Sequence, residues 1–275
     1  MYLPAAAGLY ERTPMQLTLS VVDARGTVRA RFEGEDFVQL DRYNEPYCAG
    51  DTIVLEADQD VAELEVMLDA GLLPSVVLLK GGRFELPVPF DKAARAYAPG
   101  AFGGTHIWGY ARAIDARERG AWRNLALNSH DLRDQTVLFP HAHTNSGATD
   151  ERFQARNAID GVTQNCLHGG WPYQSWGTNR REDAWLQVDF GRMVRADELR
   201  LLLRADFPHD SWWKQVTITT SDGASSVIDL ARTAAPQAFD LGGRHIEWLR
   251  LEGLVRGDES PFPALSQLQV WGVAL

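Results

Sequence analysis

Three stretches of this chain concentrate side chains that bind ligands or move protons. FPHAHTNSG (139–147) carries His141, His143 and Asn145; ARNAIDGVTQNCLHGGWPYQSWG (155–177) carries His168, Trp171, Tyr173 and Trp176; RADFPHDSWWK (204–214) carries Arg204, His209, Asp210, Trp212 and Trp213. Five of the seven histidines lie between His130 and His209. This mixture suits a ligand with an apolar face and a rim of hydroxyls, such as a pyranose sugar. Aromatic rings stack on its C–H face, while Asp, Asn, His and Arg bond its hydroxyls. The same residues admit acid–base chemistry, with His141 or His143 as a base and His209 with Asp210 as an oriented pair. His141-Ala-His143 also offers two nitrogens to a transition metal, though this pattern alone has little specificity. No GxSxG, HExxH or glycine-rich phosphate loop is present.

Packing competes with binding for each aromatic residue. Trp185 and Trp248 sit inside alternating strand patterns and are expected to pack. Trp212 and Trp213 are adjacent, so a strand would point them to opposite faces, one to the core and one to the loop end. Trp171 and Tyr173 flank Pro172 after Gly169-Gly170, where the backbone can bend sharply enough to present a ring.

Composition narrows the partners. The chain has 275 residues and a net charge of −10. That charge argues against nucleic acid, which needs a basic surface, and against an anionic membrane face. No apolar run approaches the roughly 18–20 residues of a spanning helix. The start, MYLPAAAGLYERTP, lacks the basic and apolar parts of a secretory leader. This predicts a cytoplasmic protein, although a chain whose leader had been removed would read the same. Cys48 and Cys166 fit no zinc or redox spacing, and the sequence leaves their pairing open.

The elements that must position these loops are short strands. Leu17, Leu19 and Val21 alternate with polar residues. A turn at Asp23–Gly26 follows, and Val28, Ala30 and Phe32 alternate on the return, which reads as a hairpin. GDTIVLEA (50–57), ELEVMLD (63–69) and GTHIWGYARA (104–113) read as strands, and SVVLLKGGRFELPVP (75–89) as a second hairpin around Gly81-Gly82. IDARERGAW (114–122) is a charged segment with room for one helical turn, and the join between two domains, 1–120 and 121–275, is expected there. Beyond it, WLQVDFG (185–191), ELRLLLR (198–204), WKQVTITTSDG (213–223), EWLRLEGL (247–254) and LSQLQVWG (265–272) repeat the strand pattern. The expectation is an all-β chain of two β-sandwich domains, the second a jelly roll.

The second half resembles the discoidin family, also called the coagulation-factor C-type or galactose-binding-like domain, and within it the carbohydrate-binding modules. The matching pieces run in the family's order: NLALN, ARNAIDG, SWGTN, WLQVDFG, VTITTSDG and PALSQLQVWG. They span residues 124–272. The resemblance implies a jelly roll whose loops at one end hold a ligand, with Trp176 at a core position. It also implies a structural calcium site formed by the Asn157 carbonyl, the Asp160 carboxylate, the Val162 carbonyl and the Asn165 side chain. The family usually completes that shell with a Glu near the last strand, where this chain has Gln267. Calcium gains affinity from ligand charge, so one carboxylate instead of two predicts a weaker site. The alternative is that Asp160 only braces its Asp-Gly turn.

From these readings the chain is expected to bind a mono- or oligosaccharide through His141, His143, Asn145, His168, Trp171, Tyr173, Arg204, His209, Asp210 and Trp212. The first alternative is a carbohydrate-active hydrolase or lyase using His141, His143, His209 and Asp210. The second is a protein–protein interaction module, which fold alone does not separate from the others. The residues favour binding over catalysis. The sequence does not indicate which sugar is bound, what the first half does, or the oligomeric state.

Overall fold

The computed structural model describes residues 13–165, 169–205 and 211–275. His168, His209, Asp210 and Cys166 lie outside these residues; Cys48 is exposed and unpaired.

Alternation builds the first half. β1 (Gln16–Val22) buries Leu17, Leu19 and Val21 completely. The chain reverses at a turn in which Asp23 Oδ1 accepts from the backbone N–H groups of Arg25 and Thr27, both at 2.8 Å. It returns antiparallel as β2 (Val28–Glu35), the expected hairpin. β3 (Phe37–Tyr43), β4 (Thr52–Ala57), β5 (Val61–Met67), β6 (Ser75–Lys80), β7 (Arg83–Pro87) and β8 (His106–Ala113) follow. One sheet has the order β2-β1-β4-β7; the other runs β10-β6-β5-β8-β3, with β10 (Leu138–Phe139) entering from later in the chain. Leu19, Leu55 and Phe84 of the first sheet meet Leu40, Leu64, Val77 and Leu79 of the second in one core. Full burial of each such side chain contributes about 1.5–3 kcal/mol.

The expected hairpin around Gly81-Gly82 does not form. β6 pairs with β5, whereas β7 pairs with β4 in the other sheet. The two glycines instead carry the chain across the sandwich edge, beside the link between β4 and β5. The Ala57 N–H donates to the Gly82 carbonyl at 2.9 Å and the Gly81 N–H to the Asp60 carbonyl at 2.6 Å. A Cβ on Gly82 would lie 2.9 Å from the Ala57 carbonyl oxygen. Local sequence cannot distinguish a hairpin from this crossing, because both need alternating strands around a left-handed pair.

A single helical turn, α1 (Ala116–Arg119), occupies the expected join and is closed by a capping box between Asp115 and Glu118. After β9 (Arg123–Asn124) the chain still returns to the first half. β10 pairs with β6, and Leu138 is buried in the first core. The Leu68 N–H donates to His130 Nε2 at 3.1 Å, and Ser129 Oγ donates to the Leu73 carbonyl at 2.6 Å. These bonds tie residues 129–139 to the first sandwich before the second begins.

The second half comprises β11 (His141–Thr144), β12 (Trp176–Gly177), β13 (Leu186–Leu203), β14 (Trp213–Thr220), β15 (Ser225–Asp229), β16 (Gln237–Arg256) and β17 (Ala264–Ala274). β13 bends at two register breaks, between Asp189 and Val194 and between Ala196 and Glu198. Its first limb pairs with β11 and its second with β17, so the sheet doubles back on itself as a sandwich. Leu186, Val188 and Phe190 from one limb and Leu199, Leu201 and Leu203 from the other share a core with Trp176, Trp213 and Val270. Among the described residues no helix is long and apolar enough to cross a membrane.

Candidate functional site

Asn157, Asp160, Gln174 and Gln267 form a closed polar cage. Asp160 is 7% exposed, and both of its carboxylate oxygens accept N–H donors. Oδ1 takes the Val162 backbone N–H at 2.8 Å and Gln267 Nε2 at 2.7 Å; Oδ2 takes Gln174 Nε2 at 2.7 Å. Gln267 Nε2 also donates to the Asn157 carbonyl at 2.9 Å. The Gln267 amide has only one sensible orientation. Its Oε1 accepts the Gly161 N–H at 3.0 Å, and a flipped amide would set donor against donor. Gly161 has φ +85°, and a Cβ there would lie 2.6 Å from Leu73 of the first half.

This donor set does not fit calcium. A calcium ion requires six to eight oxygens, but the Gln267 NH2 group already bridges the two strongest candidates, Asp160 and the Asn157 carbonyl. The Asn165 NH2 group donates to the Leu203 and Ala234 carbonyls at 3.3 and 2.7 Å. Burial raises the Asp160 carboxyl pKa to about 6, against the opposing hydrogen bonds from Gln174, Val162 and Gln267 and the charge of Arg156. Asp160 is thus more than a turn residue: it is the acceptor around which two glutamines fix the loop.

The open site lies elsewhere. A cleft of about 460 Å³ is lined by Phe153, Phe262, Asp150, Thr178, Asn179 and Arg204, with Ser260 and Pro263 at its rim. Phe262 stands between two prolines and is 57% exposed. The Arg180 guanidinium carbon lies 4.6 Å from the centre of the Phe262 ring. Asn179 and Arg180 are both left-handed, with φ of +51° and +66°. Two adjacent non-glycine residues in that region store strain, a feature that clusters at binding loops. Asn179 Nδ2 donates to the Ser146 carbonyl at 3.2 Å, which pins the turn. Asp150 is held by Arg152 through bonds of 2.9 and 2.6 Å, chiefly for which its pKa falls to about 2. Arg204 is buried under the cleft and donates to the Tyr173 carbonyl.

The structure separates residues that the sequence groups together. Of the expected ligand residues in the described segments, only Arg204 lines this cleft. His141 is buried, with Nδ1 2.8 Å from Asp131 Oδ1; burial opposes its charged form, but the bond and charge of Asp131 prevail and raise its pKa. His143 Nε2 lies 3.0 Å from Asp189 Oδ2, and its ring meets Trp185 edge-on at 5.3 Å. Both histidines lie on β11, and β11 pairs with β13. Asn145 accepts the Trp185 N–H at 2.9 Å and donates to the Asp183 carbonyl at 2.8 Å, so it braces the loop. Trp171 is 38% exposed at the junction of the halves, its N–H bonded to the Arg95 carbonyl at 2.9 Å. The Tyr173 N–H closes a turn on the Gly170 carbonyl at 2.8 Å. Trp212 packs on Gly257, where a Cβ would come within 2.3 Å of the indole, and Trp213 is core. Trp176 is fully buried, as its family position implies; Trp185 and Trp248 instead flank the Arg250 guanidinium, their ring centres 4.6 and 5.6 Å from it.

Sequence reasoning missed Phe153, Phe262 and Asn179. A signal for Phe262 is visible in ESPFPAL, where an apolar ring stands alone among loop formers. The turn of SWGTNRR was read only as a fold marker.

No family model and no curated protein matches the chain. Solved structures do show likeness. Chitosan-binding module 1 from a chitosanase/glucanase of Paenibacillus sp. IK-5 is 20% identical, covering 55% of this chain and 99% of its own, with a TM-score of 0.36. A Streptococcus pneumoniae fucose binding module, SpX-3, is 16% identical over 54% and 96%, with a TM-score of 0.39. The lectin domain of lectinolysin, complexed with Lewis B antigen, is 18% identical over 55% and 98%, with a TM-score of 0.40.

Proposed function

We propose that this chain is a carbohydrate-binding protein of the discoidin-like class, with its sugar site in the cleft between Phe153 and Phe262. The observation that supports this reading is the cleft itself: two phenylalanine rings with Asn179, Thr178, Asp150 and Arg204 beside them, held by loops of a rigid sandwich. A sugar stacks on Phe262 and takes hydrogen bonds from Asn179 and Thr178. Hydrolysis would need a carboxylate that gives up a proton near neutral pH. The carboxylate lining this cleft, Asp150, is held ionised by Arg152, which favours binding without turnover.

Calorimetry with a panel of free sugars, including galactose, fucose and glucosamine oligomers, tests this reading, with the mixtures analysed for cleavage. Binding without cleavage that weakens in Phe262→Ala is the expected result. Binding unchanged in Phe262→Ala places the sugar elsewhere, and cleavage of any bound oligomer replaces the reading with an enzymatic one.

A further inference from the structure

The first half carries a row of aromatic rings on the outer face of its second sheet. Along β8 the outward positions are His106, Trp108, Tyr110 and Arg112; the inward ones, Ile107 and Ala111, are buried. β3 is the edge strand and pairs beside it, setting Tyr43 opposite His106, Asp41 opposite Trp108, Gln39 opposite Tyr110 and Phe37 opposite Arg112. Tyr43 is 69% exposed, Phe37 49% and Trp108 39%. The rings touch in two groups. Tyr43 meets His106 edge-on at 5.7 Å, Trp108 lies 6.0 Å from Tyr110, and Tyr110 stacks on Phe37 at 6.2 Å.

Polar groups between the rings are held in place. His106 Nε2 lies 2.8 Å from Asp41 Oδ1, the Tyr110 hydroxyl donates to Glu65 Oε1 at 2.7 Å, and Arg112 bonds both Glu65 oxygens at 3.0 Å. Strand geometry repeats outward positions roughly every 7 Å, so the four on β8 span about 20 Å. Burying this row against the core of the first half is topologically excluded, because the opposite face of the same strands already fills that core.

We propose that the outer face of β3 and β8 is a second carbohydrate surface, and that it takes an extended, uncharged polysaccharide chain laid along β8. The shape is a flat strip, which suits a chain rather than a single sugar. Rings alternate with fixed hydrogen-bonding groups, which matches apolar sugar faces alternating with hydroxyls. An apolar protein knob would instead need a continuous dry patch at the centre of its interface. Charge sets the sign of the polymer: Asp41 lies on the strip, Arg112 at its end is paired with both Glu65 and Glu118, and the whole chain carries −10, so uronate or sulfated chains are repelled. The inference does not depend on the loop cleft. If both surfaces act, one polymer held at two points gains avidity without any new contact.

The test is retention of the full chain on insoluble chitin, cellulose and xylan, with cross-linked polygalacturonate as the anionic counterpart. All variants are made in a Phe262→Ala background, so that failure of the loop cleft leaves this measurement intact. The expected result is retention on at least one uncharged polymer and none on polygalacturonate, with about tenfold weaker retention in Trp108→Ala and a comparable loss in Tyr43→Ala. Tyr43→Ala serves alone if Trp108→Ala lowers the melting temperature, because Tyr43 contributes little to packing. The proposal is overturned if no uncharged polymer retains the chain, if the face variants bind like their parent, or if sedimentation shows a dimer that Trp108→Ala dissociates.

Discussion

The cage around Asp160 and the cleft around Phe262 are built from similar residues and do opposite things. In the cage two glutamine amides and a backbone N–H engage both oxygens of one buried carboxylate. The atoms left without a partner, among them Gln174 Oε1 and Asn157 Oδ1, are buried rather than offered to solvent. In the cleft an exposed ring stands 57% open and the backbone beneath it is strained at Asn179 and Arg180. Polar and aromatic crowding in a loop therefore has two meanings, and the hydrogen-bond inventory separates them. Satisfied groups brace the fold, while exposed rings beside anchored amides leave a surface open.

The contrast can be broken most sharply at Gln267. Gln267→Glu places a second carboxylate against Asp160 and the Asn157 carbonyl and removes the bridging NH2. An uncompensated buried charge of this kind costs about 3–5 kcal/mol. The expected outcome is a large fall in the urea midpoint, partly restored by millimolar calcium because the variant now holds the charge that calcium needs. The wild-type melting temperature is expected to be the same with and without chelator; a fall on chelation would mean that the amide cage opens to a metal.

The next effect is on pH. In the folded chain the Asp160 carboxyl keeps its proton up to about pH 6, against an ordinary value of 3.8. The folded state thus binds more protons between those values, and stability falls as pH rises through that window, by about 3 kcal/mol in all. His130 at the junction acts the other way. Burial lowers its pKa from 6.5 to about 3, so its contribution is full above pH 6.5 and is lost as the pH falls toward 3. The two trends oppose each other around pH 5. Asp160→Asn removes the first, and Gln174 can turn its unpartnered Oε1 toward the new amide. Urea unfolding at pH 7 and pH 5 is expected to show this variant losing more stability on acidification than the wild type. Parallel behaviour would show that Asp160 carries no raised pKa.

Smaller effects belong to the open regions. Phe262→Ala is expected to weaken sugar binding about tenfold, worth roughly 1.4 kcal/mol, while the melting temperature moves little. Trp171→Ala should leave binding in the cleft within about twofold, since the loss of one half-exposed ring at the junction removes no contact there. A tenfold loss in calorimetry would bring Trp171 into the sugar site and erase the distinction between braced loop and open cleft.

Strand alternation was readable because it is local. Leu17, Leu19 and Val21, or Leu199, Leu201 and Leu203, declare an inward face through the period of the strand alone. The acidic charge and the scarcity of helical patterning were equally plain. The adjacent Trp212 and Trp213 were expected on opposite faces of a strand, but β14 begins at Trp213 and Trp212 packs on Gly257 and against the same core.

Partnership between distant residues was settled only in three dimensions. Gly81-Gly82 reads as a hairpin until β7 is seen to pair with β4. Nothing local shows that Asp131, ten residues earlier, lies against His141 Nδ1. Nor does anything local show that Gln267, 107 residues away, sets an amide on Asp160. Phe262 and Asn179 gain meaning only because segments far apart in the chain line one cleft. Sequence alone determines which face of a strand is apolar, because that depends on neighbours two residues away. Whether a polar group is satisfied or open depends on which other segment the fold brings against it, and no local period encodes that.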